Sequence, residues 1–205
     1  MTQSPSPFQT PQQRSHARAA KRDAVLRAAV QMFNERGFHQ TSLDDVAARL
    51  GVSKPTIYHY LGNKDQVLFE CVTIGLSQLL EAAQASREAQ GSGADRLTAF
   101  LLRYAEINMD DFGRCVIRTS DEALGAESRA QFHALKRKID TAMRQLIEEG
   151  MEDGSIAPGN AKMLAFTLAG ALNWPARWHD PAGDETPAQI ARHLVQHLAH
   201  GFLPR

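Results

Sequence analysis

Between Ser53 and Lys64 the chain reads S-K-P-T-I-Y-H-Y-L-G-N-K. Its chemistry-bearing side chains are ammonium groups, hydroxyls and an imidazole, with no carboxylate among them. A set of donors suits an acceptor-rich partner, and duplex nucleic acid offers acceptors both on its phosphates and on its base edges. Lys54 and Thr56 stand where the N-terminus of a helix would carry them to base edges. Tyr58, His59 and Lys64, together with the Thr41 hydroxyl upstream, can donate to phosphate oxygens. Ser42 and Ser53 stand at helix starts, whose free N–H groups are themselves anion sites.

Those residues are useful only if a rigid local frame holds them, and the flanking sequence spells one. Ser42 and Asp45 have capping-box spacing, and Leu43, Val46, Ala47 and Leu50 then repeat at helical intervals on one face. Gly51 stands where a helix ends in a left-handed residue, with Val52 expected as a buried turn residue. Ser53 caps a second short helix, and Pro55 lies in its first turn, where a missing N–H costs nothing. Ile57, Tyr60 and Leu61 are the inward residues of that helix, leaving Lys54, Thr56, Tyr58 and His59 outward. Gly62 and Asn63 stop it, and Asn63 with Gln66 forms another capping pair. This is a helix-turn-helix, whose second helix is the one that enters a major groove. A preceding helix from Ala19 to Arg36, with Val25, Ala29, Met32 and Phe33 inward and Gly37 at its end, completes a three-helix unit.

The run T-S-L-D-D-V-A-A-R-L-G-V-S-K-P-T-I-Y-H-Y-L-G-N-K-D-Q-V-L closely resembles the DNA-binding signature of the tetracycline-repressor (TetR/AcrR) family, and the resemblance extends from Arg22 to Val72. Tyr58, His59, Tyr60 and Lys64 match the family's aromatic pair and the lysine that opens its fourth helix. Leu61 departs from the usual phenylalanine, which alters packing rather than DNA contact. Taken with the reading of the residues, the resemblance implies DNA contacts from Thr41, Ser42, Ser53, Lys54, Pro55, Thr56, Tyr58, His59, Tyr60 and Lys64.

Charge distribution agrees. The 205 residues carry no net charge. Arg14 to Lys64, however, holds nine basic residues against four acidic ones, +5, which leaves −5 for the rest. A basic N-terminal third on an acidic body is the footprint of a DNA reader with a separate second domain. No apolar run is long enough to cross a bilayer and the N-terminus lacks a signal-peptide core, so the expected location is cytoplasmic. Cys71 and Cys115 read as small apolar core residues rather than a disulfide. No nucleophile elbow, phosphate loop or metal cluster is present, and adjacent acids such as Asp110 and Asp111 do not face one another on a helix, so an enzyme, a cofactor and a metal are not expected. His193, His197 and His200 lack further ligands and read as surface histidines.

The body reads as helices only. Met1 to about residue 17 is expected as a disordered arm, 18–64 as the DNA-binding domain, and 65–205 as a ligand-binding and dimerisation domain. A long helix from Lys64 to about Glu88 joins the last two, so that movement of its far end would swing the recognition helix. Gln90 to Ala94 reads as a flexible loop. Further helices are expected over 95–109, 114–124, 127–151, 160–179 and 187–202, with the K-R-K at Lys136 to Lys138 as a solvated face. The helix over 160–179 is apolar all round and should be buried on two sides. A cavity between such helices is a natural ligand site. Its candidate lining is Phe100, Arg103, Tyr104, Asn108, Arg114, Arg118, Phe132, Met143, Phe166, Asn173, Trp174 and Arg177.

Gly170 to Gly201 also resembles the C-terminal segment of TetR-type regulators of acyl-coenzyme-A and fatty-acid catabolism, through Asn173, Trp174, Arg177, Trp178, Pro181, Gly183, Ile190 and Ala191. That implies an acyl-CoA or fatty-acyl effector, with arginines at the pocket mouth on the CoA phosphates; dimer packing would produce the same pattern. The expected protein is thus an all-α homodimer, paired through its two C-terminal helices as in the resembling family. It would read palindromic double-stranded DNA and release it on binding a small molecule. A co-repressor-dependent repressor, an activator, and a helical module that does not touch DNA remain as alternatives.

Overall fold

The structure, a computed structural model, describes residues 11–202, and these form helices and no strand. They divide into two compact units, the first ending at Val67 and the second beginning at Leu68. Most of the expected disordered arm lies outside the described residues. The remainder of it is helical, because α1 runs Pro11–Arg36 and so starts well before Ala19. The stretch A-R-A-A-K-R at 17–22 explains this, since alanine and long basic side chains are good helix formers even without a buried face.

In the first unit, α1 packs against α2 (Leu43–Leu50) and α3 (Lys54–Leu61). The core is Leu26, Ala29, Val30, Met32 and Phe33 of α1 with Leu43, Val46 and Ala47 of α2 and Ile57 and Leu61 of α3. The Ser42 cap forms as the sequence requires, whereas Ser53 stands at the start of α3 without a side-chain capping hydrogen bond. Asp45 N donates to Ser42 Oγ at 3.1 Å, and Ser42 N to Asp45 Oδ2 at 2.8 Å. Gly51 closes α2 at φ +64°, a left-handed conformation open to glycine without penalty. Val52, expected in the core, is 39% exposed: a two-residue link between short helices leaves no depth to bury it. Helix α4 (Lys64–Glu88) begins in this unit behind a reciprocal Asn63–Gln66 cap.

In the second unit, α5 (Gly93–Met109) is the axis on which α6 (Asp111–Arg118), α7 (Ala126–Glu152), α8 (Ala161–Asn173), α9 (Pro175–Trp178) and α10 (Pro187–Phe202) pack. Leu97, Phe100, Leu101, Tyr104, Ala105 and Asn108 of α5 are buried there. Helix α6 starts earlier than expected, at Asp111, and ends at Arg118 before a 3-10 turn at Asp121–Ala123. Gly113 is inside it, where α6 folds back so tightly that a Cβ would lie 1.9 Å from Ile107 O. The expected helix over 160–179 is two helices. Pro175 cannot donate to the i−4 carbonyl, so the chain ends α8 at Asn173 and restarts.

The Gln90–Ala94 segment is tied down on one side. Ser92 and Asp95 form a capping box, Gly93 N donates to Asp153 Oδ2 at 2.6 Å, and Ala94 N donates to Ser155 Oγ at 2.9 Å. Helix α5 can start there only because Gly93 meets Gly150 of α7 backbone to backbone: a Cβ on Gly93 would stand 2.3 Å from Gly150 Cα. Gly93→Ala should therefore destabilise the protein by ~1–3 kcal/mol by overpacking, outweighing the ~1 kcal/mol gain that alanine brings to a helix. Urea unfolding checks this; an unchanged midpoint would mean the crossing is loose.

Helix α8 buries Ala165, Leu168 and Leu172, while Met163 and Phe166 are 57% and 50% exposed. The single chain thus covers one side of α8 and not two. Trp174 and Trp178 are exposed as well. On α10 the buried positions are Ile190, Ala191 and Val195, with Leu194 and Leu198 half-buried.

Candidate nucleic-acid interface and ligand cavity

Ile57 and Leu61 are the buried residues of α3, and Tyr60, expected inward, is only half-buried. Ser53, Lys54, Pro55, Tyr58 and His59 are exposed, and Thr56 and Tyr60 are half-buried. Lys54 Nζ lies 2.6 Å from Asp44 Oδ2, and that hydrogen bond raises its pKa. The pair is exposed, so leaving Asp44 for a base edge costs Lys54 little. Ser53 and Thr56 share a 2.8 Å hydroxyl contact at the helix start. The Lys64 ammonium rests 4.2 Å above the Phe38 ring, and partial burial lowers its pKa, opposed by Asp45.

Thr41 and Ser42 differ from expectation. Thr41 is 1% exposed, and its hydroxyl is 3.2 Å from Met32 O and 3.0 Å from Gly37 O, so it closes the end of α1 and is not free for a phosphate. The Ser42 hydroxyl is engaged with Asp45 at 2.6 Å. His39 and Gln40, absent from the sequence reading, and Asn63, read there only as a cap, share with Tyr58 and Lys64 the walls of a depression of about 420 Å³. Their signal was weak: isolated polar residues in turns look alike whatever they face.

In the second unit a cavity of about 660 Å³ opens among α4 to α9. That volume suits a small organic ligand. Of the expected lining, Tyr104, Met143, Phe166, Asn173, Trp174 and Arg177 are in its wall. The others are not. Phe100 and Phe132 are fully buried core, and Asn108 is fully buried outside the lining. Arg103 is exposed and paired with Glu106. Arg114 is buried against His179, donating to its carbonyl oxygen and contacting Nδ1, both at 3.1 Å. Burial and Arg114 lower the His179 pKa, against Asp180. Arg118 donates to Ala176 O and Arg177 O at 3.2 Å each. Both arginines thereby satisfy the carbonyls that the four-residue α9 leaves open.

The wall also includes residues that were not expected. Its buried side has Leu76, Leu79, Val116 and Ile139; its exposed side has Lys136, Arg137 and Arg177 beside Phe166 and Trp174. The K-R-K stretch is indeed exposed, but at a rim and not on a featureless face. The one acid in the wall, Asp140, is engaged by Arg144, with one contact at 3.1 Å. His133, also in the wall, is 3.0 Å from Asp121. An apolar interior with an electropositive mouth fits an amphipathic anion. Among the described residues no group of His, Cys, Asp and Glu could hold a metal, and none of the helices is long and apolar enough to cross a membrane.

Residues 25–71 match the model for bacterial regulatory proteins of the tetR family, and residues 90–202 that for the tetracyclin repressor-like C-terminal domain. The HTH-type transcriptional repressor KstR2 of Mycolicibacterium smegmatis is 26% identical over 188 residues, spanning 90% of this chain and 91% of that protein. The structure of the ketosteroid transcriptional regulator KstR2 of Mycobacterium tuberculosis superposes with a TM-score of 0.82 at 18% identity, covering 90% of this chain and 96% of that one, a likeness of fold. AibR in complex with isovaleryl coenzyme A and operator DNA superposes with a TM-score of 0.75 at 25% identity, covering 86% of this chain and 97% of that one. With its helix-turn-helix matched by one model and more than half its length by the other, the chain belongs to the tetracycline-repressor family of bacterial regulatory proteins.

Proposed function

We propose that this protein is a cytoplasmic transcriptional repressor, and not an enzyme. As a homodimer it holds a palindromic operator through paired α3 helices and is released by an acyl-CoA-type effector bound in the 660 Å³ cavity. The observation that carries the DNA reading is α3 itself, a helix with two buried anchors and an outward face made of donors. Two such helices in a two-fold dimer read half-sites about one helical turn apart. The exposed apolar residues of α8 and α9, Phe166, Trp174 and Trp178 among them, support self-association through the C-terminal helices. The apolar interior and cationic rim support the effector class, and AibR provides the precedent of a relative bound to a coenzyme-A thioester. Release is a population shift: the effector acts only through its differential affinity for the DNA-competent and incompetent states.

The same precedent favours one second reading. Effector and operator are present together in the AibR complex, so the effector here could tighten DNA binding, as a co-repressor does. Selection of operator fragments from random duplexes, followed by titration with isovaleryl-CoA, tests all three parts. A palindromic consensus, lost affinity on titration and a dimeric complex are expected. Lys54→Ala should relax preference at one base position by ~1–3 kcal/mol, whereas Lys64→Ala should weaken every sequence and reduce the salt slope by about one. A duplex affinity without steep salt dependence would remove the DNA reading.

A further inference from the structure

Three polar side chains meet beside the cavity: Tyr104 and Asn173 are in its wall, and Asn108 is buried outside the lining. Asn173 Oδ1 accepts from Tyr104 Oη and from Asn108 Nδ2, each at 2.9 Å. Tyr104 is 6% exposed and Asn108 fully buried. Two donors fill the lone pairs of Asn173 Oδ1 and fix the amide plane. Its Nδ2, a double donor on a residue of the cavity wall, makes no hydrogen bond among the described residues. Asn108 Oδ1 is buried and also has no partner among them. The cluster is therefore incomplete, with the Asn173 amide donor unused in a wall that also holds the apolar Leu76, Leu79, Val116 and Ile139, and the Asn108 acceptor unused outside the lining.

A plain hydrocarbon chain laid against Asn173 would cover its Nδ2 with nothing to accept from it, and a covered, unpaired polar group costs ~1–3 kcal/mol. A neutral oxygen at that point removes the cost. A carbonyl accepts from Nδ2, and a hydroxyl accepts and can also donate. We infer that the effector is an oxygenated acyl group, one carrying a hydroxyl or keto function beyond its thioester, with Asn173 as the residue that selects for it and Tyr104 and Asn108 as the residues that orient Asn173. This rests on the acyl-CoA reading of the cavity. The alternative role for the cluster, a strut joining α5 to the end of α8, predicts no preference among ligands.

The test is calorimetric titration of the full-length dimer with acyl-CoAs of four to ten carbons, each as the plain chain and with a hydroxyl on the penultimate carbon. At the length that places the hydroxyl beside Asn173, the oxygenated form should bind about tenfold more tightly, the worth of one net hydrogen bond. In Asn173→Leu the ratio between the two forms should fall to within about twofold. Tyr104→Phe should narrow it in the same direction, and urea unfolding of each variant reads out any strut role separately. Equal or tighter binding of the plain chain at every length overturns the inference and leaves the acyl-CoA reading standing. A preference that persists in Asn173→Leu overturns the assignment to Asn173. If no acyl-CoA of either kind binds a protein that still binds its operator, this inference and the effector reading fall together.

Discussion

Ile57→Ala is expected to cost the first unit ~3 kcal/mol of stability and to weaken operator binding by one to two orders of magnitude, with effector binding in the second unit still measurable. Ile57 is fully buried, and it and Leu61 are all that α3 contributes to the core. An eight-residue helix does not persist in water by propensity. Its order comes from docking, and Ile57 is one of its two buried anchors. Truncation removes transfer free energy and leaves a cavity beneath a helix whose one remaining buried anchor is Leu61. The DNA-competent fraction then falls, and apparent affinity falls in proportion to it. Ile57→Val, which keeps the branched anchor, should lose only ~1 kcal/mol and almost none of the DNA affinity. Urea unfolding and operator titration on the two variants check the argument. If Ile57→Ala bound operator as tightly as the parent, α3 would be held by something other than its core contacts.

That small frame is also the part most legible in the sequence. The signals for α2, α3 and the start of α4 are local: a serine three residues before an acid, a glycine at a helix end, a proline in a first turn. Each acts within its own turn of chain, so the Ser42–Asp45 and Asn63–Gln66 caps form as read. Thr41 shows where locality ends. A threonine beside a helix start can face solvent or close the preceding helix, and only the fold decides that its hydroxyl meets Met32 and Gly37.

The cavity was half legible for the same reason. Its wall joins helices that lie far apart in sequence, and helical spacing separates inward from outward positions without separating core from cavity. Phe100 and Phe132 were good aromatic candidates, yet both fill the core. Arg114 and Arg118 were good cationic candidates, but the short α9 needs them for its open carbonyls. Lys136 and Arg137 looked solvated because they are exposed; no pattern in one chain distinguishes a cation facing bulk water from one at the rim of a pocket.

Those two cations carry the second large prediction. Lys136→Glu combined with Arg137→Glu should weaken isovaleryl-CoA binding by ~3 kcal/mol, roughly 150-fold. Each is exposed, so a single contact with a phosphate is worth ~1 kcal/mol or less after screening. Reversal replaces two such attractions with repulsions, which roughly doubles the loss. The same exposure gives the effect a signature, because rim charges are screened by salt. The parent should lose affinity for the thioester as ionic strength rises, and the double variant should lose little or gain. Lys138→Glu is the matched control, the third cation of the same stretch but outside the cavity wall. It changes net charge in the same sense without facing the ligand, so its effect should be several-fold smaller than that of either neighbour. An equal loss from Lys138→Glu would mean that the body's overall charge, and not a built rim, governs capture of the anion. Unchanged affinity in the double variant would place the acidic end of the ligand elsewhere, with Arg177 the remaining cation in the wall.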